Sequence, residues 1–187
     1  MDKKKLIGTI IGVIFFVALI AGATFAWLTF NANVTNGNYN TMTGNFIINY
    51  TKGDKNISSV PIISVADAAS VATSDAEKVV IKAGKNSTNM PNGKFTMKLK
   101  TVTDNTTLDL TNGALKYAVS VAGAAPTAIN SVTSTSDIVL VQDYTLSSTT
   151  QVEFAVYFWL DAGTITSDDM AKTYSGYIDA SAVQLES

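Results

Sequence analysis

Asp161, Asp168 and Asp169 bracket a short polar stretch in the last third of the chain. Clustered carboxylates on a loop, helped by backbone carbonyls, are a ligand set that suits calcium. The spacing is not that of an EF-hand. The same residues also fit a solvated loop in which Asp168 caps a helical turn. Glu153 stands among apolar neighbours, where a carboxyl could work as a general acid. It lies in an alternating run, however, and is expected to face solvent. Tyr157, Trp159, Tyr174 and Tyr177 could stack on sugar rings, and could equally fill a second core face.

What is missing narrows the chemistry further. The chain has no Cys and no His. Disulfides, thiolate catalysis and Cys-type zinc sites therefore fall away. So do the usual general base and the commonest transition-metal ligand. No Arg occurs either, which removes the planar fork that grips phosphate or carboxylate. A serine nucleophile would need a base other than His, and Lys78, Lys82 and Lys116 sit in no motif that suggests one. The expectation is a protein that is not an enzyme and carries no cofactor, with calcium at Asp161, Asp168 and Asp169 the single exception to test.

The N-terminus carries a different kind of signal. Lys3, Lys4 and Lys5 precede an uncharged apolar stretch over residues 6–23. As a helix it would be roughly 27 Å long at about 1.5 Å per residue. A hydrocarbon core is about 30 Å thick. The lysines should stay on the cytoplasmic side. The pattern reads as a cleaved signal peptide, with Ala21, Ala23 and Ala26 as small residues near the cut. It reads also as an uncleaved signal anchor. Either way residues after about 27 lie outside the cytoplasm. Without Lys3, Lys4, Lys5 and Asp2, the 13 basic and 15 acidic residues fall to 10 against 14. An acidic domain makes a poor partner for nucleic acid.

The run Gly22-Ala23-Thr24-Phe25-Ala26-Trp27-Leu28-Thr29 resembles the end of the SipW-type signal peptides of the TasA/camelysin family. The resemblance implies a dedicated signal peptidase, cleavage after Ala26 and a mature start at Trp27. It also implies an all-β, jelly-roll body and a role as a matrix-fibre subunit or surface-attached protein. Some members carry a protease label. That activity needs metal-ligand residues, and a chain without His does not inherit it.

The elements past residue 30 read as strands. Phe95, Met97 and Leu99 alternate with Lys94, Thr96, Lys98 and Lys100, the pattern of a half-buried antiparallel strand with one wet face. Leu115, Tyr117, Val119 and Val121 form a second comb. Val152, Phe154, Val156, Phe158 and Leu160 form a third, interleaved with Glu153, Ala155, Tyr157 and Trp159. Bulk on both faces makes this strand central. Strands are also expected over residues 44–51, 77–83, 138–146 and 174–185, and Pro61 confines residues 60–65 to an edge or a crossing segment. Residues 67–76 are a helical turn or surface loop. About eight strands with turn signals between them predict an all-β, two-sheet antiparallel sandwich, jelly-roll-like or immunoglobulin-like, preceded by one N-terminal hydrophobic helix.

The expected layout is residues 1–26 as signal peptide or signal-anchor transmembrane helix, 27–43 as N-terminal strand or linker, and 44–187 as the β-sandwich domain. Trp27, Leu28, Phe30 and Val34 belong to a β-prone segment that cleavage at Ala26 would free. Such a segment can pair in its own sheet or add to the edge of a neighbouring copy. The functional expectation is an exported cell-surface structural protein, a fibre or biofilm-matrix subunit assembling by strand donation. The alternative is a membrane-anchored extracellular adhesion or carbohydrate-binding module. Expected partners are copies of itself or other surface proteins, the membrane through the N-terminal segment, and a signal peptidase. Nucleic acid is not among them.

Overall fold

The computed structural model describes residues 40–43, 46–52, 56–57, 60–169 and 172–185. The expected N-terminal helix, the cleavage site at Ala26 and Trp27, and the donor residues Leu28, Phe30 and Val34 lie outside the described residues. Among the described residues no helix is long and apolar enough to cross a membrane.

The strands are β1 (Asn40–Thr43), β2 (Phe46–Lys52), β3 (Asn56–Ile57), β4 (Ile62–Ile63), β5 (Glu77–Lys85), β6 (Gly93–Thr101), β7 (Leu115–Val121), β8 (Asn130–Ser131), β9 (Ile138–Leu146), β10 (Val152–Asp161) and β11 (Gly176–Gln184). They form the expected two-sheet sandwich. Sheet A runs β1-β2-β5-β10-β7-β8, with β4 also on β10, and sheet B runs β3-β11-β6-β9. Pairing is antiparallel except at β4, where Ile62 and Ile63 run parallel to Leu160 and Asp161. Pro61 just ahead of β4 has no N–H to give a ladder, so this segment pairs over two residues only. The long strands from β5 onward alternate between the sheets: β5, β7 and β10 in A, β6, β9 and β11 in B. This winding back and forth across the sandwich gives it its jelly-roll-like character.

The combs supply the core between the sheets. Phe95, Met97 and Leu99 of β6 are buried, as are Phe154, Val156, Phe158 and Leu160 of β10. The Phe95 and Phe154 rings stack with centroids 4.5 Å apart. Tyr144 of β9 meets Phe154 edge-on at 5.1 Å. Phe46 closes one end by lying against Gly93, where a Cβ would collide with its ring. Tyr50 of β2 joins the sheets by donating its hydroxyl to the Ile178 carbonyl oxygen of β11 at 3.0 Å.

The outward face of β10 is buried too. Ala155, Tyr157 and Trp159 form a second cluster with Val71, Val80 and Ala118, flanked by Ile63, Val65, Ala76 and Ile129. The stretch between β4 and β5, with a 3-10 turn over Ala69–Thr73, covers this face. Asp67 and Ser70 hold that turn: Ser70 N–H donates to Asp67 Oδ1 at 2.9 Å and the Ser70 hydroxyl to the Asp67 carbonyl at 2.8 Å. Polar residues over 67–76 thus pin a short lid whose one fully buried side chain is Val71.

Truncating Phe154 or Phe158, each 0% exposed, should cost about 3–5 kcal/mol, read as a lower denaturant midpoint. An unchanged midpoint in both variants would place the core elsewhere. Burial also raises two phenols. Tyr50 moves from 10.0 to about 12, through desolvation first and the Asp179 charge second. Tyr174 moves from 10.0 to about 12, also through desolvation. The fold therefore favours the neutral phenols. That stabilisation is complete below pH 10 and is lost as pH rises through 12. Stability should fall over this window, and Tyr50→Phe and Tyr174→Phe should each flatten the slope of denaturant midpoint against pH.

Candidate functional site

The three candidate carboxylates sit at one end of the sandwich, where the loop after β10 meets the loop before β7. Asp161 is the last residue of β10. Its Oδ2 accepts from the Thr164 hydroxyl at 2.6 Å, and its carbonyl accepts from the N–H groups of Thr164 and Ile165, each at 2.9 Å. Asp161 therefore folds the chain back on itself. Asp168 is exposed. Asp169 is 5% exposed, and its Oδ2 accepts three hydrogen bonds. These come from the Thr166 N–H at 2.9 Å, the Thr166 hydroxyl at 2.8 Å and Asn112 Nδ2 at 3.1 Å.

The structure thus brings Asp169 together with Thr166 and Asn112, not with Asp161 and Asp168. Asn112 has a second duty, since its Oδ1 accepts the Ala114 N–H at 2.9 Å. Gly113 beside it takes φ +68°, a backbone state that a side chain would disfavour. Asn112-Gly113 is legible as a turn in sequence; its tie to Asp169 is not. Among the described residues no group of three or more His, Cys, Asp or Glu is placed to hold a metal ion. The local turn is organised by Asp169 rather than Asp168. The two loops are further laced by threonines. The N–H groups of Thr107 and Leu108 donate to the Thr173 carbonyl at 2.8 and 2.9 Å, and the Thr173 hydroxyl donates to the Asn105 carbonyl at 3.1 Å.

The aromatic candidates divide in the same way. Tyr157 and Trp159 fill the second cluster, and Tyr174 the main core, so three of the four rings present no open face. Tyr177 is half-buried. Lys78 Nζ lies 5.3 Å from the Tyr157 ring centroid, a cation–π contact at the rim. Glu153 is half-exposed and pairs with Lys82 at 3.5 Å.

The remaining surface of interest is the pair of sheet B edges. On one side β9 is paired to β6 through two irregularities. Gln142 and Asp143 together stand opposite Thr96, with Asp143 at φ +54°. Leu140 is extra in the next step, between the pairs Met97–Val141 and Lys98–Val139. Bulges and charges of this kind blunt an edge against further strand pairing. On the other side β11 keeps one unbroken register with β6 from Gly176 to Gln184. Its outer side pairs with β3 at Gly176 and Tyr177; the Tyr50 hydroxyl then bonds the Ile178 carbonyl, and no described strand pairs with it between Ile178 and Val183. Val183 on this strand is 62% exposed.

Comparison with family models, with curated proteins and with solved structures finds no match to this chain.

Replacing Asp169 by Ala frees three donors around a buried oxygen, and hydrogen bonds to a charged group are worth about 1.5–3 kcal/mol each. Asp169→Ala should lower unfolding free energy by at least that much. Asp168→Ala should change it by less than about 0.5 kcal/mol. Chemical denaturation of the two variants side by side checks the assignment.

Proposed function

We propose that this protein is an exported cell-surface structural subunit that assembles with copies of itself by donating an N-terminal strand. The observation that carries the reading is where the chain enters the sandwich. Among the described residues its first strand, β1, is the outermost of sheet A and hairpins onto β2 from Asn40 to Thr43. The β-prone segment containing Trp27, Leu28, Phe30 and Val34 therefore precedes an edge strand rather than a buried one. A segment at that position, once released by cleavage at Ala26, is free to seek a sheet edge in another copy. Backbone hydrogen bonds would supply the affinity, and alternate side chains the register.

Three further features support the proposal. The lysine-tipped apolar stretch over residues 6–23 suits export. The resemblance of residues 22–29 to TasA/camelysin signal peptides points to matrix fibres. The outer side of β11 is regular where the β9 edge is bulged; its Ile178 carbonyl is already bonded by Tyr50, so an incoming strand would pair with β11 beyond that point. Head-to-tail donation of this kind is heterologous and builds open filaments. The membrane-anchored adhesion module is the second reading, favoured by the length of the apolar stretch.

N-terminal sequencing of the exported protein separates the two. The first reading expects Trp27 and the second Met1 or Asp2. Electron microscopy of the purified protein should show filaments, and deleting residues 27–35 should leave a folded monomer. Filaments persisting in the deletion variant would end the strand-donation proposal.

A further inference from the structure

Asn49, Lys82 and Glu153 form one cross-strand row on the outward face of sheet A. Asn49 of β2 stands directly opposite Lys82 of β5, and Lys82 directly opposite Glu153 of β10. Opposed residues in antiparallel strands hold their Cβ atoms about 4.5–5.5 Å apart on the same face. An amide, an amine and a carboxylate are therefore neighbours in that order. Lys82 Nζ lies 3.5 Å from Glu153 Oε2. Asn49 Nδ2 donates to Gln151 Oε1 at 3.3 Å. Asn49 Oδ1 is buried without a hydrogen-bond partner, the one such side-chain atom among the described residues. A buried acceptor left unpaired costs stability and calls for a physical reason. A plain ion pair between Lys82 and Glu153 gives none, since it makes no use of the amide beside it.

We propose that Lys82 and Asn49 join in an intramolecular isopeptide bond, with Glu153 as proton carrier. The Glu153 carboxylate takes a proton from the Lys82 ammonium, and the neutral amine attacks Asn49 Cγ. The Nζ–Cγ bond forms and the Cγ–Nδ2 bond breaks. Of the three Nζ protons, one stays on the new amide, one leaves with Nδ2 as ammonia and one passes through Glu153 to solvent. No oxidant or outside reactant is needed. Gln151 orients the leaving nitrogen through its contact with Nδ2. The product ties β2, and the β1 hairpin with it, to β5 by a covalent bond. In a chain without cysteine this closes a long loop as a disulfide would, restricting the unfolded state. The proposal stands whether or not the protein forms filaments.

Tryptic peptide mapping of the full-length chain by mass spectrometry tests it. The expected result is no cleavage after Lys82. The peptide carrying Asn49 should be found joined to the one carrying Lys82, lighter than their sum by one ammonia. Glu153→Gln should give the two peptides separate and at full mass, with an unchanged circular dichroism spectrum. Separate full-mass peptides from the wild-type chain would overturn the proposal, and that outcome is read without any variant. A bond that still forms in Glu153→Gln would overturn the role of Glu153 and with it the mechanism.

Discussion

The two-sided burial of β10 is the constraint around which the sandwich is arranged. Phe154, Val156, Phe158 and Leu160 point into the space between the sheets, while Ala155, Tyr157 and Trp159 point away from it and are buried as well. A large side chain taken fully out of water contributes about 1.5–3 kcal/mol. A strand that is apolar on both faces can keep that contribution only if both faces are covered. Sheet B covers one. The stretch from Ile63 to Ala76, with Ile129, covers the other. The short parallel bridge of β4 and the Asp67–Ser70 turn follow from this need. They hold a thin third layer over Tyr157 and Trp159.

The same constraint shapes the surface. With β10 in the middle of sheet A, β5 and β7 flank it and the rest is displaced toward the edges. The alternation of long strands between sheets leaves connections at both ends of the sandwich. One of these ends is stitched by Asp169, Asn112 and a set of threonines. The stitching is polar and joins segments distant along the chain. Sheet B is left with two unlike edges, one bulged at Gln142 and Asp143, the other regular along β11. The asymmetry matters for a protein proposed to add strands from its neighbours, because evenly spaced backbone groups remain only along β11, beyond the Ile178 carbonyl that Tyr50 occupies.

Much of this frame is legible in the residues. The alternation from Lys94 to Lys100 yields a strand with Phe95, Met97 and Leu99 buried and the lysines wet. The bulk on both sides of Phe154–Trp159 yields a central strand. The comb at Leu115–Val121 is legible as a strand with Leu115, Tyr117, Val119 and Val121 toward the main core, but the burial of its opposite face is not. Leu115 is fully buried, while Tyr117, Val119 and Val121 are only partly so. Ala118 and Ser120 opposite them are buried, Ala118 in the second cluster with Val71, Tyr157 and Trp159, and Ser120 with its hydroxyl bonded to the Ala124 carbonyl. The bridges β3 and β8 escape sequence reading because two residues have no period to detect, while β4 falls within residues 60–65, legible as an edge or crossing segment. The choice of Asp169 over Asp168 escapes it because the deciding partner, Asn112, lies far away along the chain.

The sequence by itself determined the strand content, the central place of β10, and the absence of thiol, imidazole and guanidinium chemistry. Each of these depends on residue type or on a period of two, which the chain carries locally. Tertiary structure alone decided which strands became edges, which carboxylate was buried, and that Asn49, Lys82 and Glu153 would share a row. Those outcomes depend on register between distant strands. Register is set by how whole faces pack together, and no short stretch of residues contains that information.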